Sequence, residues 1–465
     1  MEKLLLNERI YFADRICGET GTELSSEMYR YWGSVIGSAL PEGAKFLVAH
    51  DVRESSQYFS NAFLDGLCDV GLDAVDLGTL PTPMVYYAMN RTAAAGGAVV
   101  TADDAPASRN GLRWRLNRSI DEQLTPAMLR GYDPQKPRRS TRSRSRTLDV
   151  TFDYVAWYQE TWFDTPVMPL HVILDPMHGS WSCKVRRYLQ AIFPGMIFNS
   201  VHDEPCGRFR GRVPSGYVSE ELGTLSREVD RCRADVGFVF DADGGRVTMI
   251  DGNGVPLLPE EVAWLLLDTF GDTIRGETVL HDSACSRLIV QRLLDAGVHA
   301  RCVPHGNGSF FRTMRESGAA FGIESGGLFH FRCLRGETDP LFTTCWVLDH
   351  LASWKRKGVT LSRWRSTIPG FAITPELSLA LPEMQPLLES LFRRLKTEPV
   401  RDEEGHRFQT DDGWVYLREP MLPEAACMRI EGTSRRRLDS LLRRTAAALD
   451  DAGYSGQKII APVYY

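Results

Sequence analysis

Three stretches of the chain repeat one plan: a short β-rich run, a helix with apolar residues at 3.6 periodicity, and another short β-rich run. The first begins at Phe46–Asp51, continues through a helix opened by Ser55 or Ser56 and carrying Phe59, Phe63, Leu64 and Leu67, and reaches Ala74–Leu77 and then Ala98–Thr101. The second begins at His171–Asp175 and ends in a turn at Asp241. The third starts at Thr278–Leu280, carries a helix through Leu288, Val290 and Leu293, and ends near Phe321–Ser325. Serial βαβ units of this kind predict mixed or parallel sheets covered by helices. After Pro369 the pattern changes to a smaller α+β piece, with strands at Gly413–Arg418 and Cys427–Ile430 and a helix from about Ser434 to Leu449.

The turn Asp241-Ala242-Asp243-Gly244-Gly245-Arg246 lies between two strand-like runs, Val236–Phe240 and Val247–Ile250. Two carboxylates two residues apart on a Gly-rich turn can serve a hard, oxygen-seeking cation such as Mg²⁺; the plainer reading is a hairpin turn stabilised by its Asp residues. An EF-hand is excluded, because the sixth loop position is Arg246 where that loop requires Gly.

A length of 465 residues allows two to four domains. The balance of 54 Lys and Arg against 60 Asp and Glu, net -6, gives no general attraction to nucleic acid or to anionic membranes. The apolar run Leu4-Leu5-Leu6 is broken at once by Asn7, Glu8 and Arg9, so neither a signal peptide nor a spanning helix is expected, and a cytoplasmic location follows by default. Ten cysteines scattered singly, without a C-x-x-C pair, read as reduced and mostly buried thiols. The basic run Arg138–Arg146 reads as a linker or exposed loop.

Five strings, taken in order, resemble the α-D-phosphohexomutases, the phosphomannomutase and phosphoglucomutase family. His50-Asp51-Val52-Arg53-Glu54-Ser55-Ser56 is similar to that family's GrDtRxSs, and Leu77-Gly78-Thr79-Leu80-Pro81-Thr82-Pro83 to its lGxxpTP. Val99–Pro106 followed by Asn110-Gly111 is similar to the catalytic loop iTASHNPxxxNG, the Asp241 turn to the metal loop DGDGDR, and Gly322–Gly327 to the sugar loop GExSGH. The resemblance implies three related α/β domains with mixed sheets around a cleft plus a smaller C-terminal α+β domain. The expected boundaries are domain I at 1–137, the basic linker or loop at 138–147, domain II at 148–256, domain III at 257–368 and domain IV at 369–465.

In that family a phosphoserine passes its phosphoryl group to a bound hexose phosphate, with Mg²⁺ bridging the phosphoserine and three Asp; positioning and charge neutralisation provide most of the acceleration. This sequence departs at each loop. Asp103 stands at the serine position, Gly245 replaces the third metal Asp and leaves Asp241 and Asp243, and Ile323 stands where the sugar-reading Glu belongs, with Glu324 one position out of register beside Ser325. The phosphate loop RxSxTEP reads Arg418-Glu419-Pro420-Met421-Leu422-Pro423-Glu424, keeping the Arg and losing the hydroxyls. By resemblance, Asp103 and Arg246 occupy catalytic positions, Asp241 and Asp243 metal positions (a weakened Mg²⁺ site, to which Asp103 could add a carboxylate), and Arg113, Glu324, Ser325 and Arg418 substrate positions. Arg53, His178 and His305 are weaker candidates, equally read as structural, and Asp14-Arg15-Ile16-Cys17-Gly18 is only roughly similar to the family's YDIRG.

The expectation is a phosphohexomutase-like protein of carbohydrate metabolism that binds a sugar phosphate but is non-catalytic or strongly altered. The alternative is an active phosphotransferase carrying phosphate on Asp103 with Mg²⁺. A sugar phosphate or a protein is the expected partner; nucleic acid and membrane are not expected.

Overall fold

The computed structural model describes residues 7–12, 14–117, 124–131, 145–165, 168–215, 219–381, 383–422 and 425–460. The basic run therefore lies outside the described residues except for its last positions, Ser145 and Arg146, and Glu424 lies outside them as well. The chain folds into two compact units: Met1–Pro256 with Glu337–Trp364, and Leu257–Gly336 with Arg365–Tyr465.

In the first unit, β1 (Ile16–Glu19), β2 (Lys45–His50), β3 (Asp73–Thr79), β4 (Gly96–Val100), β5 (Arg109–Leu116) and β6 (Arg146–Thr147) form one sheet in the order β1-β5-β4-β2-β3-β6. β2 runs parallel to β3 and β4, whereas β5 returns antiparallel to β4. β7 (His171–Asp175), β8 (Ile197–Ser200), β9 (Val236–Phe240) and β10 (Val247–Asp251) form the other sheet, in the order β10-β9-β7-β8. Every residue of β9 is buried, as expected for a strand covered on both faces.

The second unit holds β11 (Thr278–His281), β12 (His299–Cys302), β13 (Phe321–Ile323) and β14 (Phe329–Phe331), ordered β12-β11-β13-β14. It also holds a fully antiparallel sheet of β15 (Leu377–Ala380), β16 (Pro399–Arg401), β17 (Gly405–Thr410), β18 (Gly413–Leu422) and β19 (Ala425–Gly432). Three of these sheets share one device: a strand parallel to a neighbour is followed by an antiparallel return, at β4–β5, β9–β10 and β13–β14. The loops at 101–108, 241–246 and 324–328 therefore occupy equivalent topological places.

Local sequence accounts for the covering helices. The helices Ser26–Ser38 and Ser56–Asp69 cross where Gly33 faces the Phe63 carbonyl and Gly66 faces the Arg30 carbonyl, so closely that a Cβ at either glycine would meet backbone. That approach buries Trp32, Phe59, Phe63 and Leu67 under the first sheet. The helix Arg435–Asp451 is capped by Ser434, whose hydroxyl accepts from Arg437 N–H, and its Leu438, Leu441, Leu442, Thr445 and Leu449 form one buried stripe over the last sheet.

All ten cysteines are free, as expected, but only Cys17, Cys68, Cys285 and Cys345 are buried, while Cys183, Cys302 and Cys333 are exposed. The expectation of mostly buried thiols is corrected: the exposed three sit at helix and strand margins, where composition carries no burial signal. Among the described residues no helix is long and apolar enough to cross a membrane.

Candidate functional site

The loop after β4 is built on the string that begins at His50. The Asp51 carboxylate accepts from Arg53 Nε at 2.9 Å, from the Thr101 hydroxyl at 2.7 Å and from the Ser56 hydroxyl. Asn110 donates to Ser55 Oγ at 2.7 Å and to Ser56 Oγ at 2.9 Å. Arg53, buried and stacked on the Phe209 ring, spends its remaining N–H groups on the carbonyls of Asp103, Ala105, Pro106 and Arg109. Most of that string is thus scaffold for the 103–109 loop: it satisfies carbonyls that this partly buried loop would otherwise leave without a protein donor.

Asp103 sits at φ 53°, a left-handed conformation that Asp tolerates, with its N–H on the Thr101 hydroxyl at 3.0 Å. Its Oδ1 accepts from Arg113 Nη1 and its Oδ2 from Arg15 Nη1, each at 2.9 Å. Burial alone would raise the carboxyl pKa, but Arg113 and then Arg15 outweigh it and hold Asp103 ionised, below the usual carboxylate range. Its neighbour Asp104 accepts from Arg246 Nη1 at 2.8 Å. The loop thus gathers three of the sequence candidates, Asp103, Arg113 and Arg246, and adds Arg15, whose only sequence signal was the loosely matching N-terminal string.

The Asp241 turn is held from two sides. Thr82 donates its N–H to the Asp243 carbonyl at 2.9 Å and its hydroxyl to Asp243 Oδ2 at 2.5 Å, which gives the string around Pro81 its purpose. From the segment after β7, Ser180 N–H reaches the Ala242 carbonyl at 2.8 Å, and Trp181 Nε1 reaches the Gly244 carbonyl at 3.1 Å. Asp241 and Asp243 are both buried. Desolvation raises both carboxyl pKa values, and carboxylate repulsion adds to it, from Asp243 on Asp241 and from Asp103 on Asp243. Asp243 Oδ1 accepts from Gly245 N–H at 3.0 Å and Asp241 Oδ1 from Arg246 N–H at 3.1 Å, neutral or backbone donors that leave the pair under-neutralised, so Asp241 and Asp243 could hold a hard cation such as Mg²⁺. Asp103 directs both oxygens to arginines, and among the described residues no group of three acidic, His or Cys side chains is arranged to hold a metal ion.

Glu324, Ser325 and Arg418 come together in the second unit, joined by three residues that the motifs did not single out for a site or ranked low: Asp282, His305 and Glu376. Glu324 is fully enclosed, with Oε1 accepting from His330 Nε2 at 2.7 Å and Oε2 from Gly306 N–H at 3.0 Å. Asp282 Oδ2 accepts from His305 Nδ1 at 2.9 Å and from the Ser325 hydroxyl at 2.7 Å. Arg418, also buried, donates Nη2 to Glu376 Oε1 at 3.0 Å. Burial and Arg418 push the His305 imidazolium pKa down, but Glu324, Asp282 and Glu376 together raise it above its ordinary value. Arg418 is therefore an interior guanidinium. His178 lies in the first unit, its Nδ1 2.8 Å from the Glu204 carbonyl.

The strand order, the antiparallel returns and the helices on the sheets define a multi-domain α/β protein. Residues 13–129 match the family model described as phosphoglucomutase/phosphomannomutase, alpha/beta/alpha domain I, and residues 153–254 match domain II of the same description. A probable phosphoglucosamine mutase of Methanothermobacter thermautotrophicus is 25% identical, covering 95% of this chain and 98% of its own. The crystal structure of a phosphoglucomutase/phosphomannomutase family protein from Burkholderia thailandensis, 24% identical, superposes with a TM-score of 0.81 over 96% of this chain and 98% of that one. An N-acetylphosphoglucosamine mutase of Aspergillus fumigatus, solved in complex with GlcNAc-6P and magnesium, shares the fold at 13% identity and a TM-score of 0.60, over 97% and 99% of the two chains. The chain belongs to the α-D-phosphohexomutase family.

Proposed function

We propose that this phosphohexomutase relative binds a sugar phosphate without the standard mutase turnover. The observation that carries the reading is the state of Asp103: at the loop position that the motif resemblance assigns to the family's serine stands a carboxylate whose two oxygens are each engaged by an arginine. A phosphoryl carrier needs a free, in-line nucleophile, and a side chain gripped at both oxygens meets that need poorly. Asp103 instead supplies a permanent negative charge that, together with Asp14 beside Arg113, offsets Arg15 and Arg113.

Arg418 and Ser325 are the proposed contacts to the sugar phosphate, and Glu324 supports them from behind by holding His330 and the Gly306 turn. Asp241 and Asp243 are the proposed holders of Mg²⁺, which when bound supplies charge neutralisation for a nearby phosphate. Arg246, tied to Asp104, orients the loop after β4.

The test is an isomerisation assay with glucose 1-phosphate or mannose 1-phosphate, a hexose bisphosphate activator and Mg²⁺, run beside a thermal-shift titration of the same sugar phosphates. The expected result is stabilisation without turnover. Turnover that disappears in Asp103→Ala would replace this reading with a working phosphotransferase that carries phosphate on Asp103.

A further inference from the structure

The ion pair between Arg418 and Glu376 is built unlike its surroundings. Asp282 and Glu324 have fully buried side chains, and each accepts several hydrogen bonds from within the fold. Glu376 has a side chain 25% exposed, stands immediately before β15, and directs its firm contact to Arg418 alone. The Ser325 hydroxyl also lies 3.1 Å from Glu376 Oε1, but it has one proton and is closer to Asp282, at 2.7 Å.

Arg418 is correspondingly under-used. Its Nη2 meets Glu376, while its Nε is buried and has no hydrogen-bond partner. Nε and Nη2 form one edge of the guanidinium, the edge that takes two oxygens of a carboxylate or phosphate side by side. Glu376 fills half of that edge. A phosphate monoester, with three terminal oxygens and up to two charges, can fill all of it, and the displaced Glu376 can turn toward the water it already touches.

We propose that Glu376 is a resident competitor for the anion seat of Arg418, so that a phosphate binds in the second unit by displacing it. This rests on the reading that Arg418 takes the phosphate of a sugar phosphate. Glu376 then sets specificity. With Asp282 and Glu404 already acting on the seat, its carboxylate keeps out anions that cannot use both Nε and Nη2, and it lowers the affinity for phosphate below what Arg418 alone would give.

Calorimetric titration of the full chain with inorganic phosphate and with glucose 1-phosphate tests this. Glu376→Gln is expected to bind both about tenfold or more tightly than the unaltered chain, as removal of a competing charge at a guanidinium should. Adding Arg418→Lys to that variant should cancel the gain, since Lys offers a point charge without the fork. Because a vacated seat can weaken the fold, Glu376→Ala is also heated with and without acetate. Acetate should raise its unfolding temperature and leave the unaltered chain unchanged. If Glu376→Gln binds phosphate no better while Arg418→Lys weakens binding in the unaltered chain, the competitor role is wrong and the sugar-phosphate seat stands. If Arg418→Lys changes binding in neither background, or no variant binds phosphate, the seat itself is wrong and the competitor role falls with it.

Discussion

Arg113 Nη1 lies 2.9 Å from Asp103 Oδ1, and this contact sets the character of the loop after β4. Both side chains are at most 10% exposed, so each charge depends on the other. Asp103→Asn should therefore destabilise the first unit by about 3 kcal/mol, the scale for breaking a buried pair from one side. Urea unfolding gives the value. A change near zero would mean that Asp14, whose Oδ2 lies 3.7 Å from Arg113 Nη2, already compensates Arg113.

Arg53 reaches the same loop from below. Arg53→Lys keeps the charge beside Asp51 but cannot serve the carbonyls of Asp103, Ala105, Pro106 and Arg109 together. We expect faster limited proteolysis within 103–109 and a stability loss of about 1–2 kcal/mol, because one buried and three partly buried carbonyls lose their donors. Resistance to protease equal to that of the unaltered chain would remove the scaffold role.

The Asp241–Asp243 pair makes a prediction about metal. In chelator-treated buffer Asp241→Asn should raise the unfolding temperature, since it removes a desolvated charge that repels Asp243. Added Mg²⁺ should stabilise the unaltered chain by mass action and the variant much less. Equal responses of the two proteins to Mg²⁺ would place the cation elsewhere.

Asp339 gives a pH dependence whose sign can be worked out. It caps the helix Pro340–Arg356 by accepting from the Leu341 and Phe342 N–H groups, and its Oδ2 accepts from the Tyr154 and Tyr158 hydroxyls at 2.6 and 2.7 Å. Burial raises its pKa from 3.8 to about 6, against the lowering effect of those hydrogen bonds. The folded state therefore holds the proton more tightly than the unfolded chain. The stability from this group is fully present below pH 4 and is lost as pH rises through 6, by about 3 kcal/mol at most for a shift of this size. Asp339→Asn keeps the cap and should flatten stability between pH 4 and 7. An unchanged slope in the variant would assign the titration to another group.

How much of this was legible beforehand differs by element. The first-sheet strands at Phe46–Asp51, Ala74–Leu77 and Ala98–Thr101 and the helix through Phe59, Phe63 and Leu67 were readable because period 2 and period 3.6 are local properties of apolar residues, whereas β1, β5 and β6 were not read. The placement of Asp103 just after a strand, and of the Asp241 turn between two strands, was readable for the same reason. Arg15, Thr82, Asp282 and Glu376 were not, because their roles depend on which carbonyl, carboxylate or guanidinium lies opposite, and those partners are from 23 to 161 residues away in the chain.

Ordering alone, then, determined that this chain would make serial α/β units and would carry the Asp103 carboxylate just after a strand, since both follow from residue type and spacing. Only the tertiary structure decided what that carboxylate does. Its charge state and reach depend on Arg15 and Arg113, whose distances to it are set by the pairing of β1, β5 and β4. The same holds for Arg418: its identity is in the sequence, but its burial against Glu376 is a product of packing, and a guanidinium's chemistry is governed by what it faces.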